Sequence, residues 1–381
     1  MGLVISIKGN RTTAAFLLAC ALLLAAFTGR NFLEMRKPDI VVPAPGFDGH
    51  MLSEWFPNIV GTPVDTPVFI QDSGVPGGSV LIMGGTHPNE PAATMTAVVF
   101  LERATVNRGK LFVIPFANMS AFGHNSPQEA SPQRIHFTLP DGSVRSFRYG
   151  SRATNPVHQW PNPDIYIHEA SGQQLSGSEM ANLNRAHPGV EDGPLTQRLA
   201  RGLLELLLKE EIDLAFDLHE ASPEYPVVNA IVAHENSMML AAMVTMDLEF
   251  EGIMMRLEPS PRNLRGLTHR EWGDSTGTMP ILMETGNPSQ GRLRGKTDER
   301  LALTGEDKFY AKASELGNLF IPYEKDQPMD LRVARHTGSI LKFLATLDLV
   351  DPEIGVEVEG VPGYQEMLEM GVGAFLTPLE L

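Results

Sequence analysis

Cysteine is almost missing from this 381-residue chain: the one present, Cys20, lies in an apolar run near the start. A lone cysteine excludes a disulfide within the chain and a cysteine-ligated zinc site, so any metal centre must use His, Asp and Glu. Positive charge is also scarce. Thirty Lys and Arg stand against 46 Asp and Glu, a formal net charge of -16. Proteins that neutralise phosphates usually carry a basic face or stripe, so this balance argues against a nucleic-acid partner. Charged residues make up 20% of the chain and hydrophobic residues 43%, which is ordinary for a globular fold with a sizeable core.

Residues 14–27 form an uninterrupted apolar run, preceded by Lys8 and Arg11 and followed by Gly29 and Arg30. The pattern predicts an export signal or signal anchor over 1–29. A membrane span takes about 20 apolar residues, so the run is slightly short for one. Leu17-Leu18-Ala19-Cys20 resembles a lipoprotein box, but the apolar run continues past the cysteine, which weighs against lipidation. Arg30, Arg36 and Lys37 rival the positive residues before the run, leaving orientation undecided. The expectation is an exported or membrane-anchored domain, tethered through 14–27. Residues 30–65 read as a Pro- and Gly-rich linker, 66–350 as the main domain, and 351–381 as an irregular acidic tail.

From 66 onward, strand-like runs alternate with helical ones. Strands are expected at 67–71, 79–84 and 110–116, with a helix at 91–104. This order predicts an α/β fold with a mainly parallel mixed sheet flanked by helices. Residues 119–181 are rich in Ser, Pro, Gly, Asn and Gln, too long for an ordinary connection and therefore expected to be a functional insertion or disordered. Regularity returns in an amphipathic helix to about Lys209 and a period-two strand, Asp213 to Leu218, that leads directly to His219. A strand at 227–233, a helix at 237–247, a short buried strand at 279–284, and helices at 298–316 and 331–347 follow.

Four local patterns carry chemistry. His87 and Glu90 sit three apart on a turn between a strand and a helix, where ligands of open α/β sheets bind. They can converge on one cation, although such a pair alone reads better as a surface histidine beside a helix-start glutamate. His219 follows an apolar strand as a possible third ligand, with Asp217 on the same face to support it. Glu284 ends a buried strand at a turn-forming glycine, suited to a general base or to pairing with a nearby cation. Asn184 and Arg185 offer an amide beside a guanidinium, the group best shaped to grip a carboxylate.

Together, Gly-Thr-His87-x-x-Glu90, Asn184-Arg185 before His-Pro-Gly, Asp-Leu-His219 and Met-Glu284-Thr-Gly follow the order of the succinylglutamate desuccinylase/aspartoacylase family. The chain resembles this branch of the zinc carboxypeptidase superfamily over roughly residues 80–290. The resemblance implies His87, Glu90 and His219 as ligands of a Zn2+ cofactor, Glu284 as the catalytic carboxylate, and Asn184 with Arg185 as contacts to a substrate carboxylate. It implies hydrolysis of an amide next to a free carboxylate, in an N-acyl amino acid or alternatively at a peptide carboxyl terminus. A non-catalytic binding protein on the same scaffold is the competing class. Two departures stand out: Asn182 occupies a position where the family often has Asp, and no tyrosine lies between Tyr225 and Glu284. Arg262, Arg265, His269 and Arg270 offer further anion-binding groups if they are not simply solvated.

Overall fold

Runs of Val, Ile, Leu and Phe become strands here because each buries one or both faces. The computed structural model describes residues 11–125, 131–323 and 326–379. The chain divides into two units, Met1–Pro38 and Asp39–Leu381. The first contains α1 (Arg11–Arg36), a helix of 26 residues whose apolar stretch is exposed. At 1.5 Å per residue it reaches about 39 Å, long and apolar enough to cross a membrane. It extends the predicted run at both ends.

In the second unit the strands are β1 (Asp48–Met51), β2 (Pro67–Asp72), β3 (Ser79–Met83), β4 (Thr105–Arg108), β5 (Lys110–Ile114), β6 (Arg134–Thr138), β7 (Val144–Arg148), β8 (Ile165–Ile167) and β9 (Gln174–Ser176). They continue with β10 (Leu214–Ala221), β11 (Ala230–Ala233), β12 (Arg256–Pro259), β13 (Met279–Gly286) and β14 (Glu357–Glu359). Eight form one sheet in the order β1-β2-β5-β3-β10-β13-β11-β12. Its centre, β5-β3-β10-β13, is parallel; β1, β2 and β11 pair antiparallel with their inner neighbours. The fold is therefore the expected α/β class with a mixed, mainly parallel sheet.

Side-chain alternation builds two cores. Val80, Ile82, Leu214, Phe216 and Leu218 face one way, packing with α2 (Pro91–Arg103), α4 (Met238–Phe250) and α8 (Met329–Val350). Leu81, Met83 and Ala215 face the other, against α3 (Leu195–Lys209) and Trp272 of α5 (Thr268–Ser275). All eight residues of β10 are buried, as a central parallel strand covered on both faces must be.

Three expectations are corrected. Residues 39–65 are not a linker: β1 pairs with β2, and Leu52, Trp55, Phe56 and Ile59 pack against α3. The burial of these apolar residues outweighs the turn-forming composition around them. Residues 351–379 are not a loose tail. Strand β14 pairs with β4, and Met367 of α9 (Tyr364–Met370), Val372, Phe375 and Leu376 are buried, while Glu353, Glu357, Glu359, Glu366 and Glu369 stay exposed. The acidic composition is the solvent side of an ordered segment. The helix expected over 298–316 is two, α6 (Glu299–Thr304) and α7 (Lys308–Glu315), broken where Gly305 takes φ +67°.

Candidate metal centre

Three adjacent parallel strands deliver the site. His87 follows β3, His219 lies near the end of β10, and Glu284 near the end of β13. Strand β10 extends past its predicted end, to Ala221, because it stays paired with β13 as far as Gly286. His219 and Glu284 are direct register partners, so their side chains leave the same face of the sheet on neighbouring strands, about 4.8 Å apart along the sheet. Glu90 precedes α2, whose first residue is Pro91.

His87, Glu90 and His219 converge, with one ligand atom of each within 4.8 Å of the others, and all are buried. His87 Nδ1 lies 2.9 Å from Glu90 Oε1, His219 Nδ1 lies 2.9 Å from Glu90 Oε2, and the two Nδ1 atoms are 3.1 Å apart. The outer ring nitrogens are engaged: His87 Nε2 meets Asn182 Oδ1 at 2.8 Å, and His219 Nε2 meets Asp217 Oδ2 at 2.8 Å. Those oxygens accept, so both Nε2 atoms donate, and in the neutral rings both Nδ1 lone pairs point inward at each other and at a carboxylate. Acceptors crowded together in this way require a cation or a proton between them. Two imidazoles and a carboxylate, with the outer nitrogens held by oxygen acceptors, fit a divalent ion such as zinc.

The protonation pattern agrees. Burial pushes His219 down, but Asp217 and Glu90 more than reverse this and hold it well above the ordinary histidine value. Burial and the nearby Arg152 guanidinium lower His87 to about 4. Burial raises Glu90, yet its interactions and hydrogen bonds with the His87 and His219 imidazoles outweigh it and keep the carboxylate well below its usual range. Without a metal, one proton on His219 thus occupies the centre. Asp217 is itself fixed by the Thr86 and Thr268 hydroxyls at 2.8 and 2.7 Å.

Glu284 is partly exposed, and its Oε2 is buried with no hydrogen-bond partner. Burial is the main reason its carboxyl is pushed up to about 8, opposed by His219 and reinforced by Glu90. Asn184 and Arg185 line the same cavity of about 620 Å³ as His87, Glu90, His219 and Glu284. The Arg185 guanidinium donates to Asn184 O at 2.5 Å and has Glu179 at 3.9 Å, a carboxylate oxygen already bonded by Asn182 at 2.7 Å.

All six predicted site residues therefore meet in one cavity. The further arginines do not: Arg265 pairs with Glu271 and Asp274, Arg270 with Glu235 and Asp274, and Arg262 with Glu235. Of that group only His269 lines the cavity. Arg152 is a site residue that sequence reasoning misses. It comes from the insertion and donates to Glu90 Oε1 at 3.1 Å, and the insertion's Tyr149 hydroxyl meets Ser289 at 3.0 Å. Nothing in the local sequence marks Arg152 apart from other arginines. Gly273-Asp274-Ser275-Thr276-Gly277 has the letters of a serine-hydrolase elbow, but Ser275 is the exposed last residue of α5, not the apex of a strand-to-helix turn.

The centre belongs to the class of α/β proteins with a His/Glu/His cluster at the carboxyl ends of parallel strands. No protein-family model matches the chain, and no curated protein matches it. Among solved structures it is similar to an aspartoacylase family protein from Mesorhizobium loti, at 18% identity and TM-score 0.39, covering 64% of this chain and 62% of that one. It is similar to a succinylglutamate desuccinylase from Silicibacter sp., at 18% identity and TM-score 0.37, covering 70% and 64%. A metallo-carboxypeptidase from Burkholderia cenocepacia is similar at 14% identity and TM-score 0.45, covering 86% and 68%. The chain spans less than two thirds of the aspartoacylase family protein and of the desuccinylase.

Proposed function

We propose that the chain is a metal-dependent hydrolase that cleaves an amide bond next to a free carboxylate, with N-acyl amino acids as its substrate class. The observation that carries this reading is the register pairing of His219 with Glu284, beside His87 and Glu90, at the floor of a cavity that also holds Arg185. His87, Glu90 and His219 would hold a zinc ion, which when bound makes a water nucleophilic near neutral pH and polarises a carbonyl. Beside the positive charge of a bound ion, the Glu284 carboxyl, whose pKa burial otherwise raises, is favoured in its ionised form. Glu284 therefore accepts the proton from the attacking water and returns it to the leaving nitrogen; its buried, unpaired oxygen faces no competing donor. The Arg185 guanidinium, braced by Asn184, grips the substrate carboxylate and sets the amide against Glu284. Asn182 and Asp217 fix the two imidazoles through their outer nitrogens.

No tyrosine lies in 226–283, just before Glu284, but Tyr225 lines the same cavity, so the substrate panel decides between acylase and carboxypeptidase. The N-terminal helix serves as a signal or membrane tether for an exported domain. The test is hydrolysis of a panel of N-acyl amino acids and peptides, with chelated and zinc-restored protein compared. Zinc-restored cleavage of N-acyl amino acids supports the reading. Cleavage of peptides alone replaces it with a carboxypeptidase, and a folded, zinc-loaded protein that cleaves nothing indicates a binding protein.

A further inference from the structure

The strands that present the centre have a second face, and α8 covers it. Side chains alternate along a strand, so the Glu220 and Thr285 side chains, which follow His219 and Glu284, turn toward the helices, although Glu220 still borders the cavity. They are register partners of each other. Two buried residues of α8 one turn apart meet them: Arg332 Nη1 donates to Glu220 Oε1, and His336 Nε2 lies 3.3 Å from the Thr285 hydroxyl. Residues four apart on a helix stand on one face, about 6 Å apart, close to the spacing of neighbouring strands. Arg332 also donates to Ala302 O, so its guanidinium is held from a second direction.

Glu220 connects this pair to the ligands. Its other oxygen, Oε2, accepts from Ala92 N at 2.9 Å in the first turn of α2. Its own backbone N–H donates to Glu90 Oε2 at 3.0 Å, the oxygen that also faces His219. One residue thus touches the start of the helix that carries Glu90, the Glu90 carboxylate, and Arg332. A carboxylate with no solvent exposure is costly to bury, and it is kept here by a guanidinium and a backbone donor.

We propose that Glu220 and Arg332 are positioning residues for the metal centre: the buried pair fixes the start of α2 against β10 and so sets the distance between Glu90 and His219. This inference rests on the three-ligand reading above. It predicts that metal affinity depends on a pair whose side chains supply no ligand atom.

The test is zinc affinity, measured by competition with a chromophoric chelator, for the full chain and for Glu220→Gln, Arg332→Lys and Arg332→Met, each checked for native circular dichroism. Glu220→Gln keeps an acceptor for Ala92 N and nearly the same shape, so it guards against simple unfolding of the methionine variant. Loss of support around a ligand typically weakens metal binding 10- to 100-fold, which is the effect expected for Glu220→Gln and Arg332→Met, with partial recovery in Arg332→Lys. A folded Glu220→Gln chain that binds zinc as tightly as the original while melting at lower temperature would make the pair purely structural and overturn the proposal. Absence of zinc binding by the unaltered chain would instead overturn the metal-centre reading itself.

Discussion

Replacing Glu284 by Gln should stabilise the metal-free protein at high pH while destroying activity. The Glu284 carboxyl is shifted from an ordinary 4.5 to about 8, chiefly by burial. Because the folded value lies above the unfolded one, no penalty exists below pH 4.5; it builds as pH rises toward 8 and is complete above that. A carboxyl moved from 4.5 to about 8 sets a ceiling of roughly 5 kcal/mol. Glu284 retains some solvent, which screens part of this penalty, so about 1 to 3 kcal/mol is the expected gain. The amide's own unsatisfied groups add an offset that does not vary with pH, which makes the pH-dependent part diagnostic. Urea unfolding of both chains in chelator between pH 5 and 9 should show the variant gaining on the original as pH rises. A difference independent of pH, or one of opposite sign, would refute the assignment of a strained carboxyl. In zinc-loaded protein the same change should lower kcat by about 10² to 10⁴ if Glu284 is the general base.

Other consequences follow from the same geometry. Zinc must displace the proton held on His219 between Asp217 and Glu90, so calorimetry in buffers of different ionisation enthalpy at pH 7 should register proton release on binding; no release would contradict that protonation. Arg185→Lys should raise KM for carboxylate-bearing substrates about tenfold or more, with a smaller change in kcat, since a point charge replaces a two-pronged donor. Substrates with the carboxylate amidated should not distinguish the two proteins. Deleting 351–381 removes the buried Met367, Val372, Phe375 and Leu376 and the Thr377 backbone contacts to Glu102 and Arg145, so cooperative unfolding near physiological temperature should be lost. A truncated chain as stable as the full one would return these residues to the status of a tail.

Much of this arrangement is legible in the sequence because strand periodicity and metal-binding chemistry are both local. The alternation around Phe216 is enough to place Asp217 and His219 on one face, and Glu284 stands out as a carboxylate ending an apolar strand. What stays hidden is set by contacts distant in sequence. The pairing of His219 with Glu284 depends on β10 and β13 being neighbours, and no local pattern encodes that register. Residues 39–65 and 351–379 look like connecting chain because their apolar residues keep no sustained helical or strand period and stand among turn-forming or acidic neighbours. Arg152 and Arg332 are equally invisible, since an arginine acquires meaning from the carboxylate it meets 62 or 112 residues away.

The most direct test of the account is the metal content of the purified chain after zinc loading and exhaustive dialysis, set beside that of His219→Ala. One zinc ion per chain in the original, and near-complete loss in a folded His219→Ala variant, is the predicted result. Full retention of zinc by that variant, or none in the folded original, would contradict a centre built from His87, Glu90 and His219.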